Sequence, residues 1–175
     1  MKRFLLAVAA IAAIGMVAPQ AAKAQATASD TQTFVVRIRP VISITAPSNR
    51  VLIRHDRTDA NQTFDPQLWV ATTNNATGAS IDWEITPFAN GSTQRNARLT
   101  ASVDSSDAAA AWTMGTATAT TDYTSLVSPN ADVTASSTGP GDGGFNLVVD
   151  FLDTDYSQLP AGDFVSTVVG TITAN

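Results

Sequence analysis

Between Thr33 and Pro47 the chain reads TFVVRIRPVISITAP, and its even positions are Phe34, Val36, Ile38, Pro40, Ile42, Ile44 and Ala46. The odd positions are Thr33, Val35, Arg37, Arg39, Val41, Ser43 and Thr45, most of them polar. Side chains on a strand alternate faces, so this period of two predicts one buried and one wetted face. At roughly 3.3 Å per residue the run is longer than a usual strand. Pro40 interrupts it, because proline cannot donate to a ladder. The pattern therefore predicts two consecutive strands, Thr33–Arg39 and Val41–Ala46.

The same alternation recurs downstream. Val51–Arg54 predicts a short strand after the turn Pro47-Ser48-Asn49, and His55 to Pro66 a polar loop. Leu68–Thr73 and Ser80–Thr86 predict strands joined by a hairpin connection containing Gly78. The second places Ile81, Trp83 and Ile85 inward, with Asp82 and Glu84 outward. Asn90-Gly91 is a strong turn signal. Arg98–Val103 follows, with Leu99, Ala101 and Val103 on one face. From Asp104 to Gly141 the pattern weakens. Ala108–Ala111 suggests one helical turn, and Trp112–Thr120 and Asp132–Ser137 suggest edge strands. Pro140 to Gly144 reads as a turn. Phe145–Leu152 predicts a central strand with Phe145, Leu147, Val149 and Phe151 inward. Asp163–Ala174 predicts the last strand, with Phe164, Val168 and Ile172 inward. No amphipathic helical period occurs after residue 24. Short strands with a turn signal about every ten residues predict an all-β fold, an antiparallel Ig-like β-sandwich of seven to nine strands.

Residues 1–24 have the form of a cleaved secretory signal. Lys2 and Arg3 precede an apolar centre from Phe4 to Ala18, and both Ala22-Lys23-Ala24 and Ala24-Gln25-Ala26 satisfy the small-x-small rule, so the mature start is Gln25 or Thr27. The predicted division is a signal peptide at 1–24, an N-terminal strand at 25–39 and a sandwich domain at 40–175. The expected localisation is secreted: periplasm, cell surface or extracellular. No membrane insertion of the mature chain is expected. The chain has no cysteine, so no disulfide staples it.

Charge narrows the function. Beyond the signal there is no lysine, and the bases are Arg37, Arg39, Arg50, Arg54, Arg57, Arg95 and Arg98, with His55. After Arg98 come Asp104, Asp107, Asp122, Asp132, Asp142, Asp150, Asp153, Asp155 and Asp163 with no base among them. This acidic balance argues against nucleic-acid partners. It serves solubility, or it lets the basic part of one copy meet the acidic part of another.

Catalytic chemistry has few candidates. His55 is the only histidine, reads as a solvated loop residue, and stands between Arg54 and Arg57. Glu84 is the only glutamate and lies on a polar strand face. No nucleophile-elbow, P-loop or zinc-protease motif occurs. One histidine and no cysteine cannot furnish a zinc site. Asp150, Asp153, Asp155 and Asp163 lack the spacing and closing Glu of a calcium loop. The chain is expected to be no enzyme, with no catalytic, cofactor-binding or metal residue and no cofactor. Trp69 and Trp112 are candidates for stacking on a glycan, whereas Trp83 shares its face with Ile81 and Ile85 and is expected in the core. Three sequons, at Asn61, Asn75 and Asn90, read as loop residues.

Three places carry a family likeness: the alternating strand running into Pro40-Val41-Ile42; Gln62-Thr63-Phe64 followed by Leu68–Thr73 and Asn74-Asn75-Ala76-Thr77; and Pro160-Ala161-Gly162-Asp163-Phe164 before a closing Val/Thr strand. In these the chain resembles the major pilins of class 5 colonisation-factor fimbriae, over about half of the mature chain. Asp104–Gly141 shows no match, and the lack of lysine departs from the pattern. The resemblance implies a sandwich short of one strand, completed by the N-terminal extension of the next subunit. It implies a donor strand at Thr31–Arg39 with Phe34, Val36 and Ile38 as plugs, and partners in self (a homopolymer or homo-oligomer), a periplasmic chaperone and an usher. The residues themselves leave a second possibility open, that Thr33–Arg39 is the first strand of its own sandwich. Two functions are therefore expected: a non-enzymatic exported structural protein, pilus-like or surface-coat, assembling through β-strand contacts; or a soluble extracellular carbohydrate-binding or adhesive module using Trp69 or Trp112.

Overall fold

The computed structural model describes residues 28–48, 50–125, 127–153 and 155–175. The signal sequence expected at 1–24 lies outside them. The chain divides into two units, Met1–Arg37 and Ile38–Asn175. In the first, residues 28–37 carry neither helix nor strand, and every one is exposed.

The second unit is all β. Its strands are β1 (Ile42–Thr45), β2 (Gln62–Thr63), β3 (Gln67–Thr73), β4 (Ala79–Ile85), β5 (Phe88–Asn90), β6 (Thr93–Arg95), β7 (Ala97–Ser106), β8 (Thr113–Met114), β9 (Thr118–Thr120), β10 (Ala131–Ser136), β11 (Gly141–Phe151) and β12 (Val168–Ala174). Five of these twelve have only two or three residues, and the other seven form the body of the fold. One sheet runs β1-β3-β11-β7-β9, with β2 added beside β11; the other runs β12-β4-β10-β8; β5 and β6 form a separate hairpin. Every pairing is antiparallel.

Alternation explains the layers. In β4, Ala79, Ile81, Trp83 and Ile85 are buried while Ser80, Asp82 and Glu84 are exposed. Opposite them β11 turns in Phe145, Leu147 and Phe151. Trp83 meets the Phe145 ring at 5.0 Å between centroids, and Trp112 meets it edge-on at 5.4 Å. Such aromatic pairs add about 0.5–1.5 kcal/mol beyond the area they bury. On the outer face of β4, Asp82 sits with Glu84 and Asp132. Partial burial, then those two charges, push its carboxyl above the ordinary aspartate range.

Several expectations are corrected. Thr33–Arg39 is not the first strand of its own sandwich, since no residue from Ala28 to Val41 is in a strand. Only the second half of the long alternating run becomes one, β1, which begins after Pro40 as the missing donor requires. Val51–Arg54 is not a strand either, and of its residues only Ile53 is half-buried. Asp132–Ser137 is no edge: β10 lies between β4 and β8 and buries Ala131, Val133 and Ala135. The last strand begins at Val168, and residues 163–167 precede it with an isolated bridge between Val165 and Ala89.

Gly141 to Gly144 belong to β11 rather than to a turn. Their composition serves packing. A Cβ on Gly143 would stand 2.6 Å from Trp112 Cδ1, so only glycine lets the indole lie on the strand. The ladder to β7 then shifts register between Gly144 and Phe145, as a bulge does. Gly143→Ala is expected to lower stability by about 1–3 kcal/mol through overpacking beneath Trp112. A fall in the urea midpoint with unchanged slope checks this, together with a shift in tryptophan emission.

Candidate functional site

The second unit has a largely apolar groove of about 630 Å³. It exists because two edges stop short of each other. β1 pairs with Val70–Thr73 of β3 and goes no further, so Gln67–Trp69 has no strand beside it on that side. In the other sheet, residues 163–167 continue the line of β12. They bond to one side only: Val165 exchanges both backbone bonds with Ala89, the Thr167 carbonyl accepts from the Thr86 N–H at 3.1 Å, and Ser166 Oγ donates to the Thr86 carbonyl at 2.6 Å. In an antiparallel ladder alternate residues turn their backbone groups to opposite sides. The N–H groups of Phe164 and Ser166 accordingly find no partner among the described residues.

Aromatic rings line one end of the groove. Phe88 stacks on Phe64 at 5.9 Å and meets Phe151 at 5.2 Å, and Phe164 meets Phe151 at 5.4 Å. Trp69, Leu147 and Val168 line the rest. At Gly170 there is no room for a side chain, since a Cβ on it would stand 2.7 Å from the Trp69 ring of the facing sheet and 3.0 Å from Trp83 beside it in its own sheet.

Residues 50–55 cross the mouth of the groove. Val51, Leu52, Ile53 and His55 line it, Leu52 remaining 67% exposed. Arg50 reaches Asp163 on the far rim at 2.9 Å, both side chains well exposed. His55 is not the solvated loop residue expected from sequence. Its side chain is only 21% exposed, stacked on Tyr156 at 5.1 Å and edge-on to Phe151 at 5.9 Å. Nδ1 accepts from the Arg57 N–H at 3.0 Å, and buried Nε2 has no partner among the described residues. Next to it, the Asp56 carboxyl lies below the ordinary range. The Thr58 hydroxyl and N–H donate to it first, and the Gln62 amide and nearby His55 lower it further.

Of the four aspartates weighed for a calcium loop, Asp150, Asp153 and Asp163 face arginines, and Asp155 accepts from the Ser157 N–H and hydroxyl. Asp153, 2% exposed at its side chain, accepts from Arg95 Nε at 3.0 Å, and Asp150 faces Arg98 at 2.7 Å. Thr63 Oγ1 also donates to Asp150. With Arg50–Asp163, the basic part of the chain thus meets the acidic part of the same molecule at these places. The signal was in the spacing. Arg95 and Arg98 stand three apart, Asp150 and Asp153 stand three apart, and the β7–β11 register sets Arg98 opposite Asp150. An antiparallel ladder matches such pairs crosswise.

The two tryptophans proposed for glycan stacking are not on an open surface. Trp112 is 4% exposed, held against Gly143 and Phe145, so it has no free face. Trp69 is half-buried on the inner face of β3 and forms groove wall. Glu84 is exposed on β4 and accepts from Asn130 Nδ2 at 2.9 Å. Phe34, Val36 and Ile38 are 83%, 88% and 80% exposed. The sequence predicts strands at Leu68–Thr73 and Asp163–Ala174, but not that each rim is left unpaired on its groove side, because that depends on neighbours distant in the chain.

Comparison with known proteins returns nothing: no protein-family model, no curated protein and no solved structure matches the chain.

Removing Arg95 leaves the Asp153 carboxylate buried without its cation. Arg95→Met is expected to cost about 3–5 kcal/mol at neutral pH, the usual penalty for breaking one side of a buried pair. Arg98→Met, whose arginine is 42% exposed, is expected to cost less. Urea denaturation of both variants checks the order.

Proposed function

We propose that this protein is a non-enzymatic structural subunit of an exported filament or coat, and that copies join by strand addition. The N-terminal segment of one copy, Thr33–Arg39, lies in the groove of the next. The observation that supports this most is the pairing of opposites in one sequence. The fold leaves an apolar groove with an unpaired edge on each side, and the chain carries an alternating apolar segment whose side chains are exposed.

Chemistry favours this occupant over a small ligand. The incoming backbone supplies hydrogen bonds that Phe164 and Ser166 lack, and alternate side chains supply apolar surface. Burying Phe34, Val36 and Ile38 contributes about 1.5–3 kcal/mol each before ordering costs. The odd positions, Val35, Arg37 and Arg39, then face solvent. An unfilled groove is an aggregation hazard, which is why a periplasmic chaperone and an usher are proposed as further partners. The resemblance to class 5 pilins points the same way. The alternative of a glycan-binding module loses Trp112, which is buried, and keeps only the part-covered Trp69.

Parity tests the proposal. The chain beginning at Gln25 is expected to form ladders of SDS-resistant oligomers. Val36→Asp is expected to reduce it to monomer, because loss of one plug weakens each contact by about ten- to a hundredfold or more. Val35→Asp, one residue away on the other face, is expected to assemble normally. Monomer alone at high concentration, or equal damage from both substitutions, would contradict it.

A further inference from the structure

We propose that residues 50–55 are a hinged strap that holds the place of the donor strand and must swing out before one docks. This rests on the strand-docking function proposed above and adds its regulation.

The strap has the position of a plug. Val51, Leu52 and Ile53 all line the groove, Ile53 half-buried and the other two more exposed, while Arg54 is exposed outside the lining. Its backbone is uncommitted: among the described residues, none from Arg50 to Asn61 takes part in a backbone–backbone hydrogen bond. An extended segment lying over apolar surface without ladder bonds is held there by its side chains alone, and such a segment opens easily.

Its two ends are held unequally. At the Arg50 end the tie is the Asp163 ion pair, 69% and 68% exposed and therefore screened by water and salt. At the other end the His55 ring lies between Tyr156 and Phe151. Behind it Gln62, 9% exposed, closes the loop by donating to Asp56 Oδ1 at 2.9 Å and to the Ala60 carbonyl at 2.8 Å. Arg57 takes a left-handed φ of 67°, which fixes the turn between them. The weak tie is the latch and the ring stack is the hinge. When the strap swings, Val51 and Ile53 leave the groove, and the plugs of an incoming strand take over the apolar surface they covered. That strand also brings Arg37 and Arg39, which carry the same guanidinium that Arg50 offers Asp163. Until then the strap covers part of the surface that would otherwise promote aggregation.

A chain without cysteine makes the test clean. The chain from Gln25 carrying Val36→Asp keeps its groove but cannot donate. Into it go Arg50→Cys and Asp163→Cys, joined by a short bis-methanethiosulfonate bridge that dithiothreitol reverses. The probe is a fluorescein-labelled peptide of residues 28–40, followed by stopped-flow anisotropy, with circular dichroism confirming the fold of each form. The bridged chain is expected to bind the peptide about tenfold more slowly or worse, because docking now waits on a blocked rearrangement. Dithiothreitol is expected to restore the rate. Arg50→Gln, which only loosens the latch, is expected to speed binding. Equal rates with and without the bridge would overturn the strap while leaving strand docking intact. No peptide binding by the unbridged chain would overturn strand docking, and the strap with it.

Discussion

The core of a two-layer sandwich must be covered where its sheets end, and on one side of this protein the edges of both sheets stop short of closing over it. Backbone groups at a sheet edge need partners, and apolar side chains between the sheets need cover. Over most of the molecule both needs are met within the chain: β4 stands between β12 and β10, and β11 between β3 and β7. On one side β1 covers only half of β3, and the residues before β12 bond only toward Thr86 and Ala89. The groove and its uncommitted rims follow from that single deficit.

The deficit coexists with a firm interior. Trp83 and Phe145 are fully buried, and Trp112 fits over a glycine in β11 that admits nothing larger. Arg95–Asp153 and Arg98–Asp150 brace the end of the β7–β11 ladder nearest the groove. Without a disulfide, the walls of the groove are held by packing and by these charge pairs, so the concavity does not depend on an occupant for its shape. What gives way is the strap, whose ion pair across the mouth, Arg50–Asp163, is exposed.

Much of this was legible in the sequence. Strict alternation named the inward faces of β4, β7 and β11 correctly, because a residue such as Trp83 between Ile81 and Ile85 has one apolar side to go to. Local pattern failed where a partner decides. Thr33–Arg39 alternates as strands do and Val51–Ile53 is a short apolar run, yet neither is in a ladder, since an apolar pattern reports which surface seeks cover and not whether an edge is available. Composition misled at Gly141–Gly144, where glycines that suggest a turn make room for Trp112. Exposure of Trp112 was misjudged for the same reason: the residue that buries it lies some thirty positions away in sequence and is a glycine. The pairing of Arg95 and Arg98 with Asp153 and Asp150 was present as matched spacing, but it becomes visible only once the two strands are known to be neighbours.

Amide hydrogen exchange on the chain beginning at Gln25, comparing monomer with assembled material, tests the account most directly. The amides of Phe164 and Ser166, and those of Thr33–Arg39, are expected to exchange fast in the monomer and to become protected together on assembly. Assembled material in which these amides still exchange fast, with new protection only at the far edges β8 or β9, would contradict it.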